Sequence, residues 1–449
     1  MRFVERQVRR LRAWSLVGAI GMLAACGGAT TTSTTLICSS SSGCGEQVAV
    51  LDAPTGPNTT EIVVDSGPPG AFSLGVTNVP YVTIKVCRPG SASDCVTIDH
   101  VMLDTGSIGL RVLKSRVASL GLSDIPVAAD SSSATPAGRA AECYPFVLGA
   151  VWGPLATADL HIGGESATSL TFQLIDDDRA TAHPAPANCQ AAANGALLDS
   201  AAMLGANGIL GIGMVNIDCG LTCLNNAYSG GYALYYSCPA GSPACAPAAM
   251  PAASQVRNPV SLFAVNNNGA MIAMPALPAL GATVAKGRLV FGIGTQANNQ
   301  IPLAATMYLV DPNPASPSYL YVATQVGSRR YPNSYVDTGS NAMFFDDVAL
   351  PKACQVSAGT ASGWYCPPTA WHQTATFIDA LGTTGTVEFS VESADTLFSS
   401  GASAFANLGG TAGQPADTFV WGMPFFYGRK VFVSIWGQVL SPNGPWYAF

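Results

Sequence analysis

The tetrapeptide Asp-Thr-Gly-Ser occurs twice in this chain, each time directly after a short apolar run. The first copy stands in VMLDTGSIGLRV, residues 101–112, and the second in SYVDTGSNAMFF, residues 334–345. Apolar residues that run straight into Asp-Thr-Gly predict a strand that ends abruptly in a tight turn. Each turn then holds one carboxylate, Asp104 or Asp337, at the tip of a buried strand.

The other residues of the two copies suit the support of a carboxylate. They are Thr105, Gly106 and Ser107 in the first copy and Thr338, Gly339 and Ser340 in the second. The glycines supply the backbone freedom that the turns need, because glycine has no Cβ. The threonine hydroxyls can brace the turns, and the serine hydroxyls can reach the carboxylates.

Two copies of one motif predict two similar lobes, and lobes that meet face to face would make the two carboxyl groups neighbours. Carboxyl groups about 3 Å apart cannot both ionise, so they share one proton over a wide pH range. Such a pair can hold a water molecule, with one carboxylate taking its proton while the other acid polarises a carbonyl group. This chemistry needs no metal, no cofactor and no covalent intermediate.

The length and composition agree with a two-lobed β protein. A chain of 449 residues is longer than one hydrophobic core usually spans. Its 47 Gly, its 31 Pro and its low charged fraction of 10% are typical of a turn-rich β fold. The formal net charge of −7 leaves no basic face for nucleic acid.

The N-terminus predicts export and a lipid anchor. A basic stretch is followed by the apolar run SLVGAIGMLAAC, which ends at Cys26 and is too short to span a bilayer, since a span needs about 20 residues. LAAC resembles the bacterial lipobox, in which the cysteine is lipidated. Residues 1–26 therefore read as a lipoprotein signal peptide and the protein as membrane-anchored in the cell envelope; an ordinary cleaved signal is the alternative.

The cysteines support export. Without Cys26, 12 of the 13 cysteines remain, which is an even number suited to an oxidising compartment. Near neighbours in the sequence are the simplest disulfide partners, and these are Cys38/Cys44, Cys87/Cys95, Cys238/Cys245 and Cys354/Cys366. The other four, Cys143, Cys189, Cys219 and Cys223, are left to pair among themselves. A zinc site at CGLTC is the weaker alternative, because no histidine is near it.

The chain divides into four parts. After the signal, residues 27–65 are rich in Ser, Thr and Gly and predict a flexible tether. Residues 66–297 are expected to form the N-terminal β lobe and residues 298–449 the C-terminal one. The Cys-rich segment 216–254 predicts a loop insertion, whose tyrosines, Tyr228, Tyr232, Tyr235 and Tyr236, either line a substrate or partner surface or pack the loop. The best helix candidate is 258–269.

The motifs together resemble the pepsin-like aspartic proteases. GILGIG, residues 208–213, is similar to the segment that threads behind the family's first catalytic loop. VWGMPFF, residues 420–426, is similar to its second-lobe counterpart, with Trp421-Gly422 in place of Leu-Gly. LATADLHIGGESATSLTFQLI, GRLVFGIGT and FYGRKVFVSI follow in the family's order, so that the resemblance covers residues 70–449.

The resemblance implies a mainly β, bilobal fold with a central cleft. Asp104 and Asp337 would be the catalytic dyad, with the motif threonines interlocked beneath them and the motif serines on their outer oxygens. Gly211 and Gly422 would support the two catalytic loops. The implied activity is an endopeptidase that cleaves peptides or proteins, here in a bacterial, lipid-anchored and monomeric branch of the family.

The sequence departs from the family near the hairpin that closes over substrate. In the family a tyrosine of this hairpin covers the dyad, and here the candidates are Tyr144 and Trp152 in CYPFVLGAVWG. Arg111 stands where the family usually has a tryptophan that supports this tyrosine. The 233 residues between the two aspartates are also more than usual, which the Cys-rich insertion explains.

Other functions remain to be weighed. The main alternative is a pepsin fold that has lost activity and binds a peptide or protein partner, because a fold does not fix a function. A serine hydrolase lacks support, since the sequence has no G-x-S-x-G motif. A glycosidase also uses two carboxyl groups, but at separations of about 5 Å or more and without twin turn motifs.

Overall fold

The chain is mainly β, as predicted. In a computed structural model, strands make up 43% of the residues and helices 11%. The structure describes residues 34–37, 47–51, 56–70, 76–131, 135–178, 183–192, 196–225, 233–352, 354, 363–411, 415–438 and 444–449.

Most strands in these ranges join one large sheet. The first sixteen are β1 (Thr34–Ile37), β2 (Val48–Leu51), β3 (Thr59–Val64), β4 (Pro80–Cys87), β5 (Cys95–Asp104), β6 (Ile108–Leu113), β7 (Pro126–Val127), β8 (Gly138–Phe146), β9 (Gly149–Ile162), β10 (Glu165–Ile175), β11 (Gly208–Ile212), β12 (Tyr235–Cys238), β13 (Ala246–Pro247), β14 (Gly269–Ala273), β15 (Val284–Phe291) and β16 (Met307–Leu309).

The next strands form a second sheet of their own. They are β17 (Val322–Val326), β18 (Arg329–Val336), β19 (Met343–Phe344), β20 (Trp371–Ile378), β21 (Thr384–Val391), β22 (Gly409–Gly410) and β23 (Thr418–Trp421). The last two strands, β24 (Lys430–Ser434) and β25 (Trp446–Ala448), return to the large sheet, where β24 pairs with β14 and β25 with β16.

Helices in the described residues are short. The α-helices are α1 (Ala187–Ala192), α2 (Ala201–Leu204) and α3 (Ala394–Ser399). The 3-10 helices are Lys114–Leu120, Gly220–Asn225, Ala252–Ser254, Pro259–Leu262, Ala297–Asn299 and Met423–Phe426. The helix predicted for 258–269 is therefore wrong beyond its first turn, because the asparagines that follow use their side chains on backbone groups: Asn268 Nδ2, for example, donates to Ile293 O.

One hydrophobic core joins the two sheets. It contains buried side chains of β4 and β5 from the large sheet together with side chains of β18 and β23 from the second. Its aromatic centre lies in the second sheet, where Phe345 and Phe419 stack with ring centroids 4.6 Å apart. Trp421 packs beside them, fully buried, and its indole N–H donates to Thr324 Oγ1 at 2.9 Å. Trp421 thus has both a packing site and a polar partner.

The structure corrects the predicted boundaries. The tether was expected to run to residue 65, but Val48–Leu51 and Thr59–Val64 are strands that pair with β15. Both strands contain β-branched residues, which fit a half-buried sheet. The composition of the whole segment, dominated by Ser, Thr and Gly, obscured this local pattern. The predicted lobe boundary at residue 298 does not separate the two sheets, because β16, β24 and β25 follow it and belong to the large sheet.

Three of the four predicted near-neighbour cysteine pairings can be compared with the structure. The near neighbours Cys87–Cys95, Cys238–Cys245 and Cys354–Cys366 form disulfides, as expected. The four remaining cysteines pair as Cys143–Cys189 and Cys219–Cys223. CGLTC therefore closes a disulfide.

The predicted signal peptide with Cys26 lies outside the described residues, as do Cys38 and Cys44. Within the residues that the structure describes, no helix has the length and apolar character needed to cross a membrane.

Candidate active site

The two Asp-Thr-Gly-Ser loops occupy equivalent places in the two sheets. Strand β5 ends at Asp104 and pairs in parallel with β11, which places Gly211 beside Asp104. Strand β18 ends one residue before Asp337 and pairs in parallel with β23, with Val336 beside Trp421. After each loop the chain returns antiparallel to the same neighbour, as β6 along β11 and as β19 along β23. The repeated sequence thus forms a repeated arrangement of three strands.

Gly211 and Gly422 are needed where the returning chain crosses these strands. A Cβ atom on Gly211 would lie 2.7 Å from Ile108 N, and one on Gly422 would lie 2.1 Å from Ala342 O. Backbone atoms cannot give way at such distances, so each position requires glycine. The structure therefore places both predicted support residues directly behind the loops.

The two threonines link the loops through reciprocal hydrogen bonds. The Thr105 backbone N–H donates to Thr338 Oγ1, and the Thr338 backbone N–H donates to Thr105 Oγ1, both at 3.0 Å. Each hydroxyl then donates onward across the junction, Thr338 Oγ1 to Leu103 O at 2.7 Å and Thr105 Oγ1 to Val336 O at 3.4 Å. All of these groups are buried, so the loops are held together in a fixed relative position.

Each carboxylate is held by the other residues of its own loop. The Gly106 N–H donates to Asp104 Oδ1 and the Gly339 N–H donates to Asp337 Oδ1, both at 2.8 Å. The Ser107 hydroxyl donates to Asp104 Oδ2, and the Ser340 hydroxyl donates to Asp337 Oδ2 at 2.7 Å. The motif glycines and serines therefore contact the carboxylates directly, whereas the motif threonines link the two loops.

The two carboxyl groups face each other across the junction. A Cβ atom on Gly106 would lie 2.7 Å from Asp337 Cγ, and one on Gly339 would lie 2.6 Å from Asp104 Oδ1. Each carboxyl group thus packs against the glycine of the opposite loop. The aspartates are only 5% and 9% exposed, for Asp104 and Asp337 respectively, so little water screens their charges.

Burial and the Asp104 carboxylate raise the pKa of Asp337 to about 8. The Ser340 hydroxyl and the Gly339 N–H act in the opposite direction, because both stabilise the ionised form. Near neutral pH the pair therefore keeps one proton, which gives an acid and a base side by side. That combination is what general acid–base hydrolysis requires.

The hairpin β8–β9 brings one of its two candidate residues to this site. The ring of Tyr144 lies against the guanidinium carbon of Arg111, which is 3.7 Å from the ring centroid. Arg111 Nη1 donates to Ile108 O, directly after Ser107, so the Tyr144 ring lies beside the first loop. Burial raises the pKa of Tyr144, and the Arg111 charge acts in the opposite direction.

Trp152 lies on the other face of the hairpin. It pairs with Cys143, the neighbour of Tyr144, and side chains alternate between the two faces of a strand. Its ring packs edge-on against Tyr236 at 5.3 Å, and its indole N–H donates to His183 O. Trp152 and Tyr144 therefore lie on opposite faces of the hairpin.

Arg111 belongs to a buried group of side chains that was not predicted from the sequence. We call Arg111, Glu142, Asp218 and Tyr235 the Arg111 cluster. A lone arginine inside the apolar strand IGLRVL was the available signal, since a buried charge needs partners. The partners themselves are 31 and 107 residues away and left no local pattern.

Asn78 is a second residue that the sequence did not reveal. It is fully buried, and its side-chain amide donates to Asn341 O at 2.9 Å and to Phe405 O at 3.0 Å. Its side-chain oxygen accepts from Phe405 N and Tyr427 Oη. Because Asn341 directly follows Ser340, Asn78 fixes the second loop from the side of the large sheet.

The tyrosines of the Cys-rich segment divide into two groups. Tyr235 and Tyr236 are each only 1% exposed and pack inside the protein, which favours the packing interpretation for these two. Tyr228 and Tyr232 lie outside the described residues.

Fold and site together define a mainly β protein with two linked Asp-Thr-Gly-Ser loops and a buried pair of carboxyl groups between them. Residues 54–449 match the family described as protein of unknown function, DUF3443, and the chain belongs to that family. No curated protein matches the chain.

Proposed function

We propose that this protein is an aspartic endopeptidase with a bilobal, pepsin-like fold, in which Asp104 and Asp337 activate a water molecule for peptide-bond hydrolysis. The observation that carries the proposal is the pair of carboxyl groups, each packed on the glycine of the opposite loop and each held by its own serine. The reciprocal threonine bonds and the equivalent three-strand arrangements support the same conclusion.

The proposed mechanism uses the single proton of the pair. Asp337, whose pKa is raised to about 8, is the acid at neutral pH and donates a hydrogen bond to the carbonyl oxygen of the scissile peptide. The ionised Asp104 takes a proton from the water, whose oxygen then attacks the carbonyl carbon. The C–N bond breaks when the leaving nitrogen receives that proton. The loop N–H and hydroxyl groups are already in place around the carboxylates, so little reorganisation is needed.

The central experiment is peptide cleavage by the wild type and by Asp104→Asn and Asp337→Asn, using a peptide library of mixed sequence at acidic to neutral pH. Cleavage by the wild type and its loss in both variants by a factor of at least about 10³ is expected, since either change removes the acid or the base. Asp94→Asn is the matched control, because Asp94 is exposed and far from the dyad in the β4–β5 turn. Full activity in either dyad variant would refute the mechanism.

A second candidate function is a catalytically inactive protein of the same fold that binds a peptide or protein partner. The low exposure of both carboxyl groups is the observation in its favour, because it leaves little room for substrate in the described arrangement. This candidate predicts no turnover by the wild type at any pH, together with a partner that is retained by wild type and Asp337→Asn alike.

We extend the proposal to the location of the protein. The apolar run that ends at Cys26 supports lipidation of that cysteine and attachment to a membrane of the cell envelope. The disulfides in the described residues fit an oxidising compartment outside the cytoplasm.

A further inference from the structure

The Arg111 cluster is the most strongly buried charged group beside the dyad. The side chains of Arg111, Glu142 and Asp218 are all 0% exposed. Arg111 Nη2 lies 2.7 Å from Glu142 Oε1 and 3.1 Å from Asp218 Oδ2. The Tyr235 hydroxyl donates to Asp218 Oδ1 at 2.6 Å. Two carboxyl groups from different parts of the chain therefore meet at one guanidinium, and Tyr235 binds one of them.

The cluster is neutral only if its two carboxyl groups share a proton. Burial raises the pKa of Asp218 well above its usual range, and the charge of Glu142 raises it further. Glu142 Oε2 is buried and accepts no hydrogen bond from a fixed donor in the described residues, so a protonated Asp218 supplies the donor it needs. One cation, one anion and one neutral acid can remain together in the interior, where an unpaired charge would be costly.

Arg111 connects three elements of the site. Its Nη1 donates to Ile108 O at 2.6 Å, and Ile108 directly follows the first catalytic loop. Its guanidinium stacks on the Tyr144 ring of the hairpin. Its Nη2 also donates to Asp218 Oδ2 at 3.1 Å, which reaches the Cys-rich segment. A planar group with several donors in fixed directions can make all these contacts at once, which lysine cannot.

The Cys-rich segment also extends the hairpin as a sheet. Strand β12 of this segment pairs antiparallel with β8, with Tyr235 opposite Glu142, so β8 lies between β12 and β9. The disulfide Cys143–Cys189 links β8 to α1. A hairpin that is paired on both sides and tied by a disulfide is held in place, not free to swing as an isolated lid.

We propose that Arg111 and Asp218 are positioning residues, through which the Cys-rich segment holds Tyr144 and strand β8 beside the first Asp-Thr-Gly-Ser loop. The consequence of this positioning for catalysis rests on the proposed endopeptidase function. The segment is on this view a working part of the site, since its removal would leave Arg111 with one carboxyl partner and β8 with a free edge.

Hydrogen exchange tests the positioning role without any substrate. Arg111→Lys keeps the charge and removes the planar stack on Tyr144. We expect amide exchange in residues 138–162 to accelerate by at least about tenfold while β17–β21 exchange as in the wild type. Arg329→Lys is the matched control, because Arg329 lies over Tyr331 at 5.1 Å in the second sheet. Unchanged exchange in the hairpin, or a uniform increase that reflects only lower global stability, would overturn the proposal.

A second variant covers the possibility that Arg111→Lys does not fold. Asp218→Ala removes the carboxyl group that the Cys-rich segment contributes, with both its acceptor oxygens and its proton, and leaves Arg111 paired with Glu142. The same hairpin-selective acceleration is expected. Wild-type exchange in residues 138–162 of this variant would show that the segment does not hold the hairpin.

Cleavage kinetics separate this inference from the proposed function. With a peptide that the wild type cleaves, both variants are expected to raise KM by about tenfold, whereas a loss of folded enzyme alone lowers the apparent kcat and leaves KM unchanged. If the wild type cleaves nothing, the proposed function fails, and the exchange experiment still tests the positioning role. If the wild type cleaves and the variants match its KM, the inference fails and the proposed function stands.

Discussion

Asp337 is the residue at which stability and the proposed chemistry oppose each other. Its carboxyl group is 9% exposed and faces Asp104, and both conditions disfavour its ionised form. The folded protein therefore holds a proton that an unfolded chain would release at neutral pH. Conflicts of this kind are common at functional sites, where the geometry needed for chemistry reduces stability.

This conflict predicts that Asp337→Asn stabilises the protein in a pH-dependent way. The pKa of Asp337 is about 8 in the folded state and its ordinary value is 3.8, so wild-type stability falls as the pH rises from about 4 to 8. Asparagine does not titrate, so the variant's gain in unfolding free energy should grow across this window, by at most about 1.4 kcal/mol per pH unit.

Urea unfolding at pH 4, 6 and 8 measures this gain. The exposed control Asp94→Asn should show no comparable trend. A difference between Asp337→Asn and wild type that is the same at all three pH values would contradict the assigned protonation.

Two groups of three strands with the same arrangement hold the two aspartates. Strands β5, β6 and β11 in the large sheet correspond to β18, β19 and β23 in the second, and a glycine behind each loop allows the close crossing. The third contribution comes from the segment before β4, in which Asn78 adopts a φ of 54° and reaches the second loop. Asparagine tolerates this left-handed conformation better than most residues.

We expect Asn78→Asp to destabilise the protein by about 3 kcal/mol, because a buried carboxylate oxygen would replace the amide that donates to two carbonyl oxygens. Equilibrium unfolding in urea at pH 7 measures the loss. Asn313→Asp is the matched control, since Asn313 is exposed and its side-chain oxygen only accepts a bond, from Ala315 N. A loss for Asn78→Asp no larger than that of the control would refute this role.

At the scale of the whole molecule, the two sheets share a core, and the C-terminal strands return to the large sheet. This arrangement holds the dyad loops in one relative position, because neither sheet can shift without breaking buried contacts. The chain outside this body is the region that would carry the proposed lipid anchor.

The anchor predicts that Cys26→Ser releases the protein from membranes. A single lipidated cysteine is the only attachment that the proposal supplies, so the variant should appear in the fraction not bound to membranes. Palmitate labelling should mark the wild type and leave Cys26→Ser unlabelled. Unchanged membrane fractionation of the variant would show that Cys26 is not the point of attachment.

Much of the site was predictable because its signals are local. Asp-Thr-Gly-Ser after an apolar run predicts a strand and a turn from adjacent residues, and the serine hydroxyls reach the carboxylates as expected. Near-neighbour cysteines pair because short separations keep them together in any compact fold. The region predicted to be a tether contained strands, since the partner of β3 is β15, more than 200 residues away.

Neighbouring residues could not show which face of the β8–β9 hairpin each of the two candidate side chains occupies. Tyr144 and Trp152 are almost opposite each other on paired strands, and a shift of one residue in register would exchange their faces. Similarly, nothing near Arg111 in the sequence points to Glu142 or Asp218.

Short-range pattern was thus enough to identify the mainly β class, the two carboxylate loops and most disulfides, because each depends on residues a few positions apart. The approach of Asp104 to Asp337, the face that Tyr144 presents and the closure of the Arg111 cluster depend on contacts across 31 to 233 residues. Such contacts follow from strand register and from burial, which bring side chains together only once the sheets have formed.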